Sequence, residues 1–494
     1  MKHTKIVATI GPASESKQMM EKMIKAGMNV ARLNFSHGSY KHHQMLIKNL
    51  RFVSKKLGTK IAIIQDLQGP RIRIGALPQD GIKISASDEI VLVNEKNYSA
   101  KKKSSTIEIP IQYTKLYRDL KAGSQILIDD ATIELKVVKI KDKAIFCKVI
   151  CPGIIKSHKG MNFPNSLIKC PPITQKDMED VDFGIKNNVD FIAMSFVKTA
   201  KEVKDLRKKI YYLERKYNHR EDLGLDDKSH NRIHTRIISK IERKEAIKNF
   251  DSILEASDVI MVARGDLGIE IPFETLPLIQ KNIIEKCRKA GKPVIVATQF
   301  LDSMIRNPLP TRAEISDVAN AVLDGTDAIM LSGESASGKY PIKSVQVMAK
   351  IAMQMEDEEI LEAENEEEKF KSSNSINQVI SFIAQDLAED VNKAKLIVCA
   401  TVSGYTAKNI CRFRPGVPII ALTPSQKTLS QLALSWGVRT HYMPFKPSFN
   451  EILTAIKKLL IKNKLAKKGN TIVIVAGYPF SYKNESNLIK LEVV

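Results

Sequence analysis

Short apolar runs rich in Val, Ile and Ala recur along the chain. Each ends in one or two polar residues and is followed by a stretch whose apolar positions repeat every three to four residues. Eight such runs fall at residues 5–10, 29–35, 60–67, 189–197, 236–242, 258–265, 293–300 and 328–332. A near-continuous apolar run reads as a strand buried on both faces, and the longer period reads as a helix covering it. Eight alternating units predict an α/β chain built on a closed (β/α)8 TIM barrel.

In such barrels the site lies at the C-terminal ends of the strands. Those ends carry Arg32, Asn34 and Ser36 after the second run, Asp66 after the third, and Lys240 and Glu242 after the fifth. Arg264 and Asp266 follow the sixth, Thr298 the seventh, and Ser332 and Glu334 the eighth. Within a pair the i, i+2 spacing puts both side chains on one face of a strand, ~7 Å apart. Charged residues also mark any place where a buried strand emerges into solvent. Convergence of so many on one barrel mouth is what a site requires.

Between the third and fourth runs the chain is far longer than one helix needs. Short β segments at 89–93, 125–128, 132–140 and 144–150 are punctuated by Pro70, Pro78, Pro152, Pro164, Pro171 and Pro172. This predicts an all-β domain inserted after the third strand, on the mouth side, where it can act as a lid. After the eighth unit, residues 356–368 form an acidic run that reads as a solvated helix or connector. Runs at 396–400, 417–422, 441–444 and 471–476 then predict a second, smaller α/β domain. The expected boundaries are 1–69 and 166–345 for the two parts of the barrel, 70–165 for the lid and 346–494 for the C-terminal domain. The polar stretch 211–235 precedes a strand and so belongs to the far face of the barrel, as an insertion without chemistry.

With 494 residues, 43% of them hydrophobic and 27% charged, the chain has the material for several packed domains and is neither fibrous nor disordered. No run reaches the ~18 apolar residues of a membrane span, and the N-terminus does not lead into a signal-peptide core. A cytoplasmic protein with no membrane partner is expected. The net charge of +22 raises nucleic acid as a partner. The lysines are dispersed, however, and the densest runs, 101–103 and 457–468, lack interleaved aromatics. A basic surface that attracts small anions fits equally well, and no nucleic-acid partner is expected. Six cysteines without a C-x-x-C pair read as buried reduced thiols.

Glu242 and Asp266 can hold one hard divalent cation through oxygen, with Mg²⁺ expected and Mn²⁺ able to substitute. Lys240 adds positive charge beside it, and Arg32 and Arg73 suit a phosphate or carboxylate. Metal-assisted chemistry on an anionic substrate follows. Gly333 to Tyr340 nearly matches a P-loop, but Tyr340 stands where the Mg²⁺-binding Ser or Thr belongs. Two rival readings are a barrel lyase using Lys240 as a Schiff base and a non-catalytic phosphate- or nucleic-acid-binding protein.

From Lys5 to the C-terminus the chain closely resembles the pyruvate kinase family. The resemblance is carried by Ile237-Ile238-Ser239-Lys240-Ile241-Glu242-Arg243 and by Met261-Val262-Ala263-Arg264-Gly265-Asp266-Leu267-Gly268. Pro310-Thr311-Arg312-Ala313-Glu314, the segment from Ser316 to Val322, and Met330-Leu331-Ser332-Gly333-Glu334 complete it. The resemblance implies phosphoryl transfer from phosphoenolpyruvate to ADP, giving pyruvate and ATP, in a homotetramer. It implies Glu242 and Asp266 as Mg²⁺ ligands and Lys240 as stabiliser of the phosphoryl group, with Arg32 and Arg73 on phosphate. Thr298, Ser332 and Glu334 would serve enolate protonation, and the backbone of Ala263, Arg264 and Gly265 would hold the substrate carboxylate. His37, Asp130 and Lys159 would lie beside the nucleotide. The loop from Thr401 through Ser403, Gly404 and Tyr405 to Thr406 resembles one that holds a sugar-phosphate effector. A phosphorylated metabolite, sugar phosphate or AMP, is therefore expected to regulate the enzyme through the C-terminal domain.

The chain departs from the family in a Gly69-Pro70-Arg71 segment where members that need K⁺ carry Gly-Pro-Glu, and Leu67 replaces the usual Thr. Asn34, Ser36 and Asp66 retain oxygens for a monovalent cation, but Arg71 places a fixed positive charge beside them. The expectation is activity that does not require K⁺. Asp129-Asp130-Ala131 stands where Asp-Asp-Gly is usual, a change expected in the turn of the lid.

Overall fold

The computed structural model describes residues 2–98, 107–166, 168–217, 233–363, 376–391, 394–444, 448–478 and 485–494. The lysine run 101–103 and most of 211–235 lie outside them. Eight parallel strands, Lys5–Thr9, Val30–Asn34, Ala62–Asp66, Phe191–Met194, Arg236–Ile241, Val259–Ala263, Val294–Ala297 and Ala328–Leu331, close into a barrel. Closure is made by the first strand, which pairs Lys5 with Ala328 on one side and Val7 with Val30 on the other. Alternate residues serve two cores, as a strand period of two requires. Val7, Val30, Ala62, Ile64, Ala193, Ile238, Met261 and Ile295 fill the barrel, while Ile6, Ala8, Ile63, Ile237 and Ile260 pack beneath the helices. This double burial is why the runs are apolar throughout rather than alternating.

Helix starts are set by local chemistry. Thr174 and Thr311 each accept from the backbone of the third helical residue, Asp177 and Glu314, whose carboxylates return the bond. Asp177 also accepts from Gly69 N–H at 3.0 Å, tying that helix to the chain leaving the third strand.

The insertion contains a six-stranded sheet ordered Met161–Asn162, Gln125–Ile128, Ile133–Lys141, Ala144–Cys151, Glu89–Asn94 and Ile107–Ile111. Ile82–Ile84 pairs separately with Gly153–Ile155. Two 3₁₀ turns, Glu95–Asn97 and Leu116–Arg118, interrupt what the sequence reads as all β. The C-terminal domain has a five-stranded sheet ordered Val438–Tyr442, Ile419–Thr423, Ile397–Ala400, Thr471–Ala476 and Leu488–Val493, the last antiparallel. The expected strand at 441–444 thus begins earlier, at Val438. Its outer residues are only half buried, so the apolar signal there is weak.

Leu434, from this domain, packs with the barrel's interior residues and plugs its lower end. The acidic run also differs from expectation at its first residue. Glu356, on the helix Pro341–Ala363, is buried and accepts from the His3 and Thr4 amides at 2.7 and 2.6 Å. It secures the chain entering the first strand. All six cysteines are unpaired, but Cys151 is exposed and Cys170 half-buried, so burial holds for four. Among the described residues no helix is long and apolar enough to cross a membrane.

Candidate active site

The strand ends converge on a mouth cavity of about 100 Å³, lined among others by Arg32, Asp66, Lys240, Glu242, Asp266 and Thr298. At its floor Lys240 Nζ lies 2.8 Å from Glu242 Oε1 and 3.3 Å from Asp66 Oδ1. It also donates to Ser195 Oγ at 2.8 Å. Arg32 meets the other oxygen of Asp66 at 2.7 Å and donates to Thr9 Oγ1 at 3.0 Å. Burial disfavours charge on Lys240, Asp66 and Glu242, but proximity reverses it for the first two. The Asp66 and Glu242 carboxylates overcome burial and raise the Lys240 ammonium, so it stays charged. Lys240 and Arg32 together overcome burial and lower Asp66. For Glu242, burial and the nearby Asp266 prevail over Lys240, and its carboxyl is raised. An ammonium held charged between two carboxylates is the opposite of a Schiff-base lysine, which needs a depressed pKa.

Glu242 Oε2 accepts from Phe196 N–H at 2.6 Å, whereas Oε1 is buried with no directed hydrogen bond beyond its ion contact to Lys240. An incompletely satisfied buried carboxylate oxygen facing a second carboxylate, Asp266, fits a hard divalent cation. Two protein carboxylates suffice for Mg²⁺, which keeps several water or substrate ligands.

The seventh strand ends in strain. Thr298 and Gln299 both have positive φ, +74° and +58°, costly for a β-branched residue. The conformation brings Thr298 Oγ1 to the Gly265 N–H at 2.8 Å. One of the three backbone donors expected for a substrate carboxylate is therefore engaged by Thr298. Arg264 is clamped by Asp317 through two bonds of 2.6 and 2.8 Å and lies over the Phe300 ring.

The remaining expected residues divide. Asn34, Ser36, Leu67 and Arg71 line the same cavity. Asn34 Oδ1 already accepts from Ser36 N–H at 3.1 Å. Arg71 reaches Asp130 of the lid at 3.2 Å and Asp266 at 3.5 Å, and it lies against Gly160, where a Cβ would collide with its Nε. Lys159 pairs with Asp129 at 2.8 Å, and Arg73 donates to the His158 carbonyl at 2.9 Å. His37 is exposed on the loop after the second strand, its carbonyl facing His43. Glu334 is buried and accepts from the Ser332 and Leu301 amides at 2.8 and 3.2 Å. It joins the seventh and eighth strand ends and does not line the cavity, and neither does Ser332. In place of a P-loop, Gly333–Ala336 is a short helix, and Gly338 packs against the Glu334 carbonyl. No phosphate cradle is left open there.

In the C-terminal loop, Thr401 Oγ1 accepts from Gly404 N–H at 3.0 Å and Thr406 Oγ1 bonds Ser486. Both hydroxyls and the Gly404 N–H serve the domain's own structure, and the Ser403 carbonyl accepts from Arg236 of the barrel at 2.6 Å. Residues that sequence reasoning overlooked are Thr9, Ser195, Phe196 and Asp317. Ser195 and Phe196 do follow an apolar run directly, as Asp66 does. What the sequence does not display is the φ of +56° at Phe196 that turns its amide to Glu242.

Comparison with known proteins agrees with this geometry. Residues 1–345 match the family model of the pyruvate kinase barrel domain, and residues 378–492 match that of the pyruvate kinase alpha/beta domain. Pyruvate kinase of Clostridium acetobutylicum is 41% identical over the whole of both chains. That of Geobacillus stearothermophilus is also 41% identical, covering 99% of this chain and 80% of its own. The crystal structure of a pyruvate kinase from Cryptosporidium parvum superposes with a TM-score of 0.88 at 36% identity, covering 100% of this chain and 96% of that one. The chain belongs to the pyruvate kinase family, enzymes that move the phosphoryl group of phosphoenolpyruvate to ADP.

Proposed function

We propose that the mouth cavity carries out this transfer as a Mg²⁺-dependent enzyme that does not need K⁺. The observation that carries the reading is Lys240, held charged by Asp66 and Glu242 with Arg32 on the far side of Asp66. Phosphoryl transfer places few covalent demands on protein and depends on positioning and charge neutralisation. Lys240 and Arg32 present two fixed positive charges to the phosphoryl oxygens, with no reorganisation at the moment of transfer. Glu242 and Asp266 would hold Mg²⁺, which when bound neutralises substrate oxygens; Mn²⁺ suits the same donors. Thr298, fixed by its backbone and its bond to Gly265, holds a hydroxyl where an enolate can be protonated. Ser332 and Glu334 support that hydroxyl indirectly, by fixing the neighbouring strand ends. Arg73, Lys159, Asp130 and His37 belong to the nucleotide side, between lid and mouth.

Arg71 supports independence from K⁺. Its guanidinium sits at the cavity edge beside Asp266, and the Asp66 and Asn34 oxygens that could bind a monovalent ion already face internal donors. This reading takes 70–165 as the lid and 346–494 as the C-terminal unit, with the helix Pro341–Ala363 running across the second boundary and packing on the barrel through Val345, Met348 and Ala352. A phosphorylated effector would approach the loop from Thr401 to Thr406, and the working form is a cytoplasmic homotetramer.

The test is pyruvate formation from phosphoenolpyruvate, ADP and Mg²⁺ with and without K⁺, for the wild type and for Arg71→Glu. Wild type should be equally active in both buffers, and Arg71→Glu should gain a K⁺ requirement. Wild-type activity confined to the K⁺ buffer would discard this account of Arg71 and leave the transfer reaction standing.

A further inference from the structure

Two stretches of chain join the lid to the barrel, and both are fastened beside Glu242. On the outgoing stretch Gly69, with φ of +66°, lies against Ser195 and Phe196, where a Cβ would stand 2.9 Å from Ser195 Cβ and 3.0 Å from Phe196 Cδ2. On the returning stretch the Pro164 carbonyl accepts from Lys244 Nζ, and the Ile168 carbonyl accepts from Lys198 Nζ at 2.8 Å. Lys198 is two residues from Phe196, whose amide serves Glu242, and Lys244 is two residues from Glu242 itself.

Between these fastenings stands a buried ion pair that the chemistry of the mouth does not use. Arg243, the residue after Glu242, contacts Glu270 Oε1 at 3.4 Å through one nitrogen and lies 5.2 Å from the centre of the Phe196 ring. Glu270 closes the helix Arg264–Glu270, one turn beyond Asp266. Asn162 and Lys244 face its carboxylate and favour its charge. Neither Arg243 nor Glu270 lines the mouth cavity. As a stabilising device the pair is poor: it is long, Arg243 Nε is buried with no hydrogen-bond partner, and desolvation offsets most of what a buried pair gains. Its placement is what distinguishes it, because each member is covalently close to one of the two metal carboxylates.

We propose that Arg243 and Glu270 are positioning residues that set the separation of Glu242 and Asp266 and tie it to the placement of the lid. The inference rests on the reading of Glu242 and Asp266 as Mg²⁺ ligands. Mg²⁺ demands near-ideal octahedral geometry, so the spacing of two carboxylates carried on different segments decides how well it binds. Arg243 joins those segments, and Lys244 and Phe196 carry any shift of them to the two stretches that hold the lid. Coupling of this kind is reciprocal: if lid placement alters cation affinity, the cation alters lid placement by the same factor.

The full chain is titrated with Mn²⁺ alone, the free ion being followed by its electron paramagnetic resonance signal. Amide exchange is measured in the lid strands Gln125–Ile128 and Ile133–Lys141 with and without the ion. Wild type is expected to bind Mn²⁺ and to exchange more slowly in those strands when it does. Arg243→Gln should weaken binding about tenfold, the scale of an outer partner to a metal ligand, and should abolish the lid response. Lys244→Met spares the buried pair. It should bind Mn²⁺ more nearly as wild type does yet lose most of the lid response, and it decides the matter if Arg243→Gln folds poorly. Glu242→Gln is the control for the metal ligands. Mn²⁺ binding that survives it would remove the metal reading and the proposal with it. Binding lost in Glu242→Gln but unchanged in folded Arg243→Gln would overturn the proposal alone. So would a wild-type lid indifferent to Mn²⁺, or a full lid response in Lys244→Met.

Discussion

Lys240 at the barrel mouth and Lys5 at the opposite end are both buried, 9% and 6% exposed, yet they are held in opposite ways. Lys240 lies between two carboxylates, which raise it above its ordinary value. Lys5 donates to one backbone carbonyl, and burial, then Arg439, lower it to about 8 against the opposing pull of Glu356 and Asp327. The cations of the mouth are thus paired and fixed in place, as the proposed transfer requires. At the lower end, among the described residues, Lys5 has no carboxylate at ion-pair distance, and burial makes its charge costly. The same residue type at similar burial is held charged at one end and destabilised at the other, and carboxylates at ion-pair distance decide which.

The contrast can be broken most severely at the mouth. Lys240→Met would leave Asp66 and Glu242 buried without their shared partner. Removing one member of a buried pair costs about 3–5 kcal/mol, so the variant should unfold at lower denaturant. Loss of a fixed charge on the transferring group should also reduce kcat by ~10³. Steady-state kinetics and denaturant unfolding measured on one preparation separate the two effects. Near-normal kcat in a folded variant would place the catalytic charge elsewhere.

This asymmetry was only half legible in the sequence. The barrel was readable because both faces of each strand are buried, which produces continuous runs such as Val259–Ala263. Lys240, Glu242 and Asp266 were readable because they follow such runs at strand spacing. Hidden were contacts made by backbone geometry, such as the Phe196 amide on Glu242, and contacts across hundreds of residues. Leu434 plugging the barrel and Glu356 capping the first strand are of the second kind. Glu356 sits in a run whose acidity looks like solvent exposure, and nothing local distinguishes it from its neighbours. The setting of Lys5 was invisible for the same reason, since Val438 reaches it only after the C-terminal domain docks.

At that lower end the expected change has the opposite sign and a smaller size. Unfolded Lys5 titrates near its ordinary value of 10.5, and folded Lys5 near 8. Between those values the unfolded chain binds more protons, so stability rises with pH across that window and is lowest below it. Lys5→Met removes that penalty while keeping the stem that packs against the seam. We expect it to be more stable than wild type near pH 7, on the order of 1 kcal/mol, with the gain fading toward pH 10. Thermal unfolding at several pH values would show this. A destabilised Lys5→Met at every pH would mean that the bond to Val438 outweighs the buried charge, and the contrast with Lys240 would lose its energetic basis.

The smallest effect lies in the lid, whose turn presents Asp129 to Lys159 and Asp130 to Arg71. Here the mouth's charge balance depends on strained backbone, because Asp129, Asp130 and Ala131 all have positive φ, +54°, +54° and +67°. Asp tolerates the left-handed region through local hydrogen bonding, but Ala has no such compensation and pays about 1 kcal/mol there. Glycine removes that cost and adds disorder to the unfolded chain worth about 0.4–1 kcal/mol, so the two terms nearly offset. Ala131→Gly should therefore stabilise the lid by no more than about 0.5 kcal/mol. In a chain of several domains a global melting curve would not resolve this, whereas amide exchange in the flanking strands Gln125–Ile128 and Ile133–Lys141 reports the lid directly. Slightly slower exchange there, with the mouth strands unchanged, would assign the strain to Ala131. Faster exchange would show that restricting the unfolded turn matters more than relieving the folded one, and that alanine here stiffens the lid.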